Sequence, residues 1–435
     1  MRKFYALLIN TIASSIVNNF VWFAVTFWVY LETKSVIATS VMAGTYVGTL
    51  ALSGFFLGSI VDRYKKKTSM LLSSVMSLVL YGASALVYLF SPNDAFSDPS
   101  SFLLWALILS ALFGALAGNL RTIALSTTVT IMFKEGEREK ANGMVGTATG
   151  VSFLAASVFS GLGIGFLGIA NTLVIAVLAT IAILIHTLTV NIPEKGVVRA
   201  EHGTDKIDIR GTIRVVKKIP GLFALIFFNT FNNFLGGVFM ALMDAYGLSM
   251  VSVQFWGILW GVLSTGFIVG GIVVSKAGLG SSPLRTLFRA NILMWIICMC
   301  FTVYPSVIPL GIGMFVYLCL IPVVEAAEQT IIQKVIPPER QGRVFGFAQS
   351  IEQAASPITA FLIGPLAQFV FIPYMTTGAG VEWIGPWFGT GAARAMALIF
   401  TITGIIGLIV TVIAMRSRSY HLLVANYDNK SAGDN

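Results

Sequence analysis

Apolar residues in this chain gather into long runs, and polar residues fill short gaps between them. A helix that crosses a bilayer needs roughly 20 predominantly apolar residues. Runs of that size recur from one end of the sequence to the other. They predict about twelve spans, near 5–30, 37–61, 69–90, 102–132, 141–168, 170–191, 221–246, 252–275, 284–304, 307–335, 344–371 and 393–415. The longest polar stretch, 192–220, is rich in Lys, Arg and Asp and contains His202 and Gly203. It reads as a cytoplasmic linker between a six-helix bundle at 1–191 and a second at 221–416, with a cytoplasmic tail at 417–435. The expected external loops are 91–101 and 372–391.

Composition agrees. The chain is 56% hydrophobic and only 11% charged, against about 25% charged in soluble domains. That is too little charge to cover a water-facing surface, so the expected class is an all-α polytopic membrane protein. A net charge of +9 would suit a nucleic-acid partner, but the placement of the charges argues otherwise. Lys and Arg cluster in alternate gaps, at 63–67, 134–140, 195–218, 276–289, 334–343 and from 416 onward. The intervening gaps are nearly free of them, with Lys34 and Arg394 as the exceptions. This is the positive-inside pattern; it puts both termini in the cytoplasm and leaves no support for nucleic-acid binding.

The remaining motifs exclude more than they assign. Cys298, Cys300 and Cys319 lie in apolar runs without zinc spacing, so they read as packing residues, and no metal or cofactor is expected. The first apolar run is too long for a cleavable signal and has no small-residue cleavage site. The run Gly161-Leu162-Gly163-Ile164-Gly165 is not followed by Lys-Ser or Lys-Thr. It reads as close helix packing rather than a phosphate loop, and no other nucleotide motif suggests an ATP-driven pump.

Weak internal repeats fall at corresponding spans. Gly143 precedes Ala155-Ala156-Ser157 as Gly342 precedes Ala354-Ala355-Ser356. Gly58-Ser59-Ile60-Val61-Asp62-Arg63 pairs with Gly271-Ile272-Val273-Val274-Ser275-Lys276, which keeps the cation and loses the acid. Asn10, Asn18 and Asn19 in span 1 echo Asn229, Asn232 and Asn233 in span 7. Two homologous bundles around a central cavity are expected.

Gly58-x-x-x-Asp62-Arg63, followed by Lys65-Lys66-Lys67, resembles the signature loop between spans 2 and 3 of major facilitator superfamily transporters. The segment Pro337-Pro338-Glu339-Arg340-Gln341-Gly342-Arg343-Val344-Phe345-Gly346 is similar to the span 10–11 loop of the macrolide-efflux-type branch of drug:proton antiporters. The resemblance implies the major facilitator fold, two pseudo-symmetric six-helix bundles, and export of an amphipathic small molecule driven by proton entry. It also implies that Gly58, Asp62 and Arg63 form a gating motif, with Asp62 at a helix-end contact. The sequence departs from the family where Lys65 replaces a frequent glycine, and where Ser157-Val158 stands in place of the Gly-Pro of the span 5 antiporter motif. Arg121 also lies lower in span 4 than the motif places its arginine.

An ionisable side chain in hydrocarbon costs at least about 2.5 kcal/mol, so each needs a reason. Glu325 and Glu328 are three residues apart in span 10, hence on one helix face, and Glu325 sits roughly three turns before Pro337, near mid-membrane. Glu352 lies about two turns into span 11, Arg121 near the middle of span 4, and Asp244 near the interface end of span 7. A carboxyl in a low-dielectric pocket takes up a proton that it releases when water arrives. Glu325, Glu328 and Glu352 are therefore the candidate proton-coupling residues, with Arg121 as counter-ion to the Glu325/Glu328 pair. The competing reading is a static ion-pair cluster holding the halves together.

Asn18, Asn19, Asn229, Asn232 and Asn233 are candidate substrate-binding amides, with interhelical bonding as the equal alternative. Trp22, Phe23, Phe27 and Trp28, with Phe227, Phe228, Phe231 and Phe234, offer stacking surfaces or simply core. Trp383 and Trp387 read as an interfacial belt, and His186 as packing. The leading reading is a proton-coupled exporter of amphipathic or cationic compounds, monomeric, in a bacterial cytoplasmic membrane. The alternatives are a carrier of an endogenous solute or lysolipid, a non-transporting sensor, and a membrane-embedded enzyme. The last would need a clustered His/Asp site at a membrane face, and the sequence holds none.

Overall fold

The computed structural model describes residues 2–132, 150–190, 209–280, 282–336 and 338–432, and among these residues there is no strand. With no water in hydrocarbon to bind backbone N–H and C=O groups, a helix that pairs them internally is the form an apolar run must take. The first helices are α1 (Arg2–Thr33), α2 (Val36–Arg63), α3 (Lys66–Phe90) and α4 (Phe102–Met132). They are followed by α5 over 150–162 and α6 (Gly168–Thr189). A short helix α7 (Ile209–Lys218) precedes α8 (Leu222–Leu248), α9 (Val253–Ala277), α10 (Pro283–Cys300), α11 (Val307–Val335) and α12 (Pro338–Leu366). Three short helices follow, α13 (Ile372–Thr376), α14 (Gly380–Trp383) and α15 (Gly385–Phe388), before α16 (Ala392–Arg416) and α17 (Arg418–Ala432).

Among the described residues, ten helices are long and apolar enough to cross a membrane. One of them runs 40 residues, Gly150–Thr189, which as a straight helix would be about 60 Å long, twice the hydrocarbon thickness. It is not straight. A π-helical turn at Gly163–Leu167 leads into Gly168, whose φ is 73°, and a Cβ built on Gly163 would lie 3.2 Å from Thr172 Oγ1. The chain turns back there, so α5 and α6 are separate spans. With α2, whose apolar stretch is Val36–Leu50, the described spans correspond to the twelve expected from the sequence. Local signals set the starts: Ser35 caps α2 by accepting from Ala38 N (3.2 Å), and Pro283 opens α10 where no N–H is needed.

The chain divides into two compact units. The first comprises Met1–Gly203 with Val251–Val262, the second Thr204–Met250 with Leu263–Asn435. In the first, α3 packs along α4 through small hydroxyls: Ser73 donates to Ala117 O (2.8 Å), Ser77 to Gly114 O (2.8 Å) and Ser84 to Leu107 O (3.2 Å). Such residues let backbones approach and satisfy each other in lipid. The glycine run of α5 serves the same end: a Cβ on Gly161 would meet Gly257 Cα at 2.8 Å. Ser160 of α5 donates to Phe20 O of α1 (2.9 Å), and in the second unit Ser356 of α12 donates to Asn233 O of α8 (2.8 Å). The fifth spanning helix of each unit thus bonds to the first through a serine hydroxyl. In the first unit the serine is one turn beyond Ser157, which bonds within its own helix to Leu154 O.

The second unit has two features that a reading by apolar runs misses. Within the expected 192–220 linker, Val216 of α7 is buried in a cluster with Leu222, Leu287, Ile331 and Val335; Leu423 of α17, in the expected tail, joins the same cluster. Residues 192–208 of that linker, and the expected start of span 5 at 141–149, lie outside the described residues. Arg394, the cation that broke the charge pattern, is 5% exposed. It donates to Thr302 O (2.9 Å), Val303 O (2.6 Å) and Phe388 O (2.5 Å), fastening the ends of α10 and α15 to α16. The three cysteines are unpaired.

The seat of α17 generates a stability prediction. Gly221 has φ 81°, and a Cβ there would lie 2.2 Å from Ser419 O and 2.7 Å from Leu423 Cβ. Gly221→Ala should therefore destabilise the purified protein by more than the roughly 1–2 kcal/mol that left-handed backbone alone costs. Gly82→Ala, inside α3 with nothing within 4 Å of its Cβ, should hold or raise the melting temperature, since a helix-interior Gly costs about 0.5–1 kcal/mol against Ala. Thermal unfolding in detergent measures both.

Candidate functional site

The site lies in the second unit and is built around α11. Pro322 interrupts this helix one turn before Glu325 and, lacking an N–H, leaves the Leu318 carbonyl without its helical donor. Glu325 and Glu328 then follow on one face and line a cavity of about 590 Å³, within the range of ordinary ligand pockets. α8 contributes Asn229, Asn232 and Asn233, which its i, i+3, i+4 spacing turns toward the same side. α10 adds Asn291 and Trp295, and α12 adds Glu352 and Gln353. The carboxyls of Glu328 and Glu352 stand within hydrogen-bonding reach of each other, with the Asn229 side chain against both.

Some of these amides are already satisfied. Trp295 Nε1 donates to Asn232 Oδ1 (3.0 Å), Asn233 Nδ2 to Asn229 O (3.1 Å), and Asn291 Nδ2 to Leu287 O (2.9 Å). Others are not. Among the described residues, Asn229 Nδ2, Asn232 Nδ2 and Glu352 Oε1 are buried without a hydrogen-bond partner. Leaving a buried polar atom unsatisfied costs about 1–3 kcal/mol, and three around one cavity mark a place where a ligand or water can restore the bonds. The described lining residues include three carboxyls and no Lys, Arg or His. Chemically, a wall of three carboxyls without a described cation can attract positive charge and can take up protons.

Of the candidate residues, Glu325, Glu328, Glu352, Asn229, Asn232 and Asn233 come together here. Arg121 does not join them. It belongs to the first unit, is 1% exposed, and finds neutral partners from α1, α3 and α6. Nη1 donates to Asn10 Oδ1; Nη2 reaches Ser74 Oγ (2.6 Å), Thr187 Oγ1 (3.0 Å) and Met70 O (3.1 Å). Within its own unit the guanidinium expected to serve as a counter-ion is met by this ring of oxygens. The small serines of α3 leave room for the guanidinium inside the bundle, where one amide, two hydroxyls and a carbonyl face it. Asn10 extends the chain to His186, with Nδ2 2.8 Å from its Nδ1, so this histidine is a hydrogen-bonded member of the network.

Asn18 and Asn19 also belong to the first unit. Asn18 Oδ1 accepts from Tyr81 OH (2.7 Å), and its side chain fills the space over Gly118; it ties α1 to α3 and α4, the interhelical role. Asn19 is half-buried on α1. The aromatics of α1 pack on their own unit: Trp22 stacks on Tyr46 (4.0 Å), and Trp28 sits edge-on to Tyr88 and Phe96. Gly58, Asp62 and Arg63 fall in the last turns of α2, with their side chains outside the described residues. Just beyond them, Lys66 Nζ donates to Val61 O (2.6 Å), satisfying a carbonyl at the end of α2. The cavity residues missed in the sequence are Asn291, Trp295, Tyr317, Gln329 and Gln353. Asn291 carried a signal, a lone amide in an apolar run; Trp295 and Tyr317 look like any core aromatic.

Comparison with known proteins agrees with this architecture. The sequence pattern described as Major Facilitator Superfamily matches residues 7–360. The chain is 22% identical over 371 residues to Macrolide efflux protein A of Streptococcus pyogenes, covering 83% of this chain and 88% of that protein. Its structure is similar to a bacterial homolog of the human lysosomal transporter Spinster in an inward-facing, unoccupied conformation, with TM-score 0.67, 16% identity and coverage of 99% and 98%. It is also similar to the nucleoside transporter NupG, with TM-score 0.67, 15% identity and coverage of 95% and 100%.

The Arg121 network predicts a structural phenotype. Arg121→Ala removes the guanidinium's bonds to Asn10, Ser74, Thr187 and Met70 O and leaves a cavity, while Asn10, Ser74 and Thr187 each keep another hydrogen bond. At about 1.5–3 kcal/mol per bond to a charged group, it should destabilise the purified protein by several kcal/mol. Arg121→Lys, which keeps the cation, should retain part of that stability. Melting curves of the two variants decide it.

Proposed function

The chain belongs to the Major Facilitator Superfamily, and from that premise we propose that it exports amphipathic or cationic small molecules in exchange for protons. It is a multi-pass membrane transporter and not an enzyme. The observation that carries the proposal is the acidic cavity of the second unit: Glu325, Glu328 and Glu352 share it, and no described lining residue is a cation. A proton and a cationic compound both neutralise these carboxyls, so the two compete for one site. Competition at one acid is what couples opposite movements: the cation leaves when protons bind, and protons leave when the cation binds. The described wall also carries Trp295, Tyr317 and Phe267, apolar and aromatic surface for the body of an amphipathic molecule. The macrolide-efflux relative supports outward movement of such compounds.

The proposed setting is a bacterial cytoplasmic membrane, with both termini inside and the protein working as a monomer by alternating access. Support comes from the Lys and Arg bias of alternate loops and from the bacterial relative.

Everted membrane vesicles with an energised proton gradient and a pH-sensitive dye test this reading. Adding lipophilic cations, macrolides or tetracycline-like compounds should release protons through the wild-type protein. Glu328→Gln and Glu325→Gln should lower that release at least about tenfold, the ratio that roughly 1.4 kcal/mol sets. Intact release in both variants would sink the assignment of these acids. Silence of the wild type toward every compound would overturn export of this class in favour of an endogenous cargo.

A further inference from the structure

We infer that Glu328 and Glu352 hold one proton between them, and that Asn229 is the donor that takes the proton's place when it leaves. The inference rests on reading the cavity as the proton site and goes further by stating how many protons it holds and which amide answers their loss.

The geometry is specific. The two carboxyls come from different helices, α11 and α12, and stand within hydrogen-bonding reach of each other. Two ionised carboxylates at such range repel with little water to screen them, whereas one shared proton turns the repulsion into a hydrogen bond. The third helix, α8, brings Asn229 against both carboxyls. Asn229 is 4% exposed, and its Nδ2 has no hydrogen-bond partner among the described residues. So is Glu352 Oε1, an acceptor without a donor. A buried donor and a buried acceptor left idle beside a protonated pair are the parts needed for the ionised state. Among the described lining residues the other titratable groups are Glu325 and Tyr317, both on α11.

The exchange then balances. In the protonated state the pair carries one proton and one negative charge. A monovalent cation enters, the proton leaves to water, and the pair now carries two negative charges, one answered by the cation. Asn229 Nδ2 donates to the newly bare carboxylate. One cation is exchanged for one proton, with no net charge moved by this pair.

Infrared difference spectroscopy of the full-length protein in lipid nanodiscs, titrated with acid and base alone, reads the carboxylic-acid carbonyl stretch directly and needs no cargo. Compared in the pH window between the pair's two titration steps, the wild type should show one protonated carboxyl for the pair. Glu328→Gln and Glu352→Gln should each remove it, because the remaining acid gains an amide donor and loses the neighbouring negative charge. The double variant should remove no more than either single one. A double variant that removes twice the signal of a single one, or a single variant that leaves the other acid's signal intact, would overturn the shared proton. Asn229→Ala should keep the protonated signal and shift the carboxylate stretch of the ionised pair; an unshifted carboxylate band would overturn the role of Asn229. Because no compound is added, failure here with export intact rejects the shared proton alone. A shared proton without compound-driven release rejects the export reading instead.

Discussion

Hydrocarbon offers a polar atom no hydrogen bonds, so each one carried into a spanning helix must be answered by a neighbouring helix or left at a cost of a kcal/mol or more. The two units meet this constraint differently. In the first, Arg121 is enclosed by Asn10, Ser74, Thr187 and the Met70 carbonyl, and Asn18 is held by Tyr81. These bonds tie helices together, and the atoms left unpartnered there, among them Arg121 Nε, Thr11 Oγ1 and Asn119 Nδ2, line no described cavity of mixed polarity. In the second, three carboxyls and several amides surround a cavity, and three buried atoms remain unanswered. The proposed function gives this difference a use: polar groups of the first unit hold helices together, and those around the cavity have bonds that a carried molecule can complete.

The spans were legible because a bilayer imposes a single length and a single polarity on every crossing helix. The acids were legible for the related reason that each is costly and therefore conspicuous. The spacing of Glu325 and Glu328 gave their common face, and that of Asn229, Asn232 and Asn233 theirs, since both follow from helix geometry. What did not follow was which face each helix turns to its neighbours. Arg121 was as conspicuous as the acids, yet its partners are the small serines of α3 and an amide of α1, and no pattern in α4 announces them. α7 and α17 escaped for the opposite reason. They are short and polar by composition; Val216 and Leu423 are buried in one cluster of the second unit, with Tyr420, Val424 and Tyr427 of α17 packed against it.

The two units share one kind of interhelical contact and differ in chemistry. A serine of the fifth spanning helix bonds to the first in both, although the sequence repeat aligns Ser356 with Ser157 and the bonding residue of the first unit is Ser160. The amides diverge: those of α1 stitch helices together, while those of α8 line the cavity. The acids of α11 and α12 have their counterpart positions in a bundle whose buried charge is instead a capped arginine. The proposed function accounts for this asymmetry as a division of labour between a cohesive unit and one that binds protons and cargo.

The central claim is that protons and a cationic compound compete for the carboxyls of one cavity. Equilibrium binding of tetraphenylphosphonium to the purified protein, measured across a range of pH in a weakly buffered medium, tests it most directly. The account predicts that affinity weakens as the medium is acidified and that each cation bound releases one proton. Affinity independent of pH, with no proton released, would contradict it.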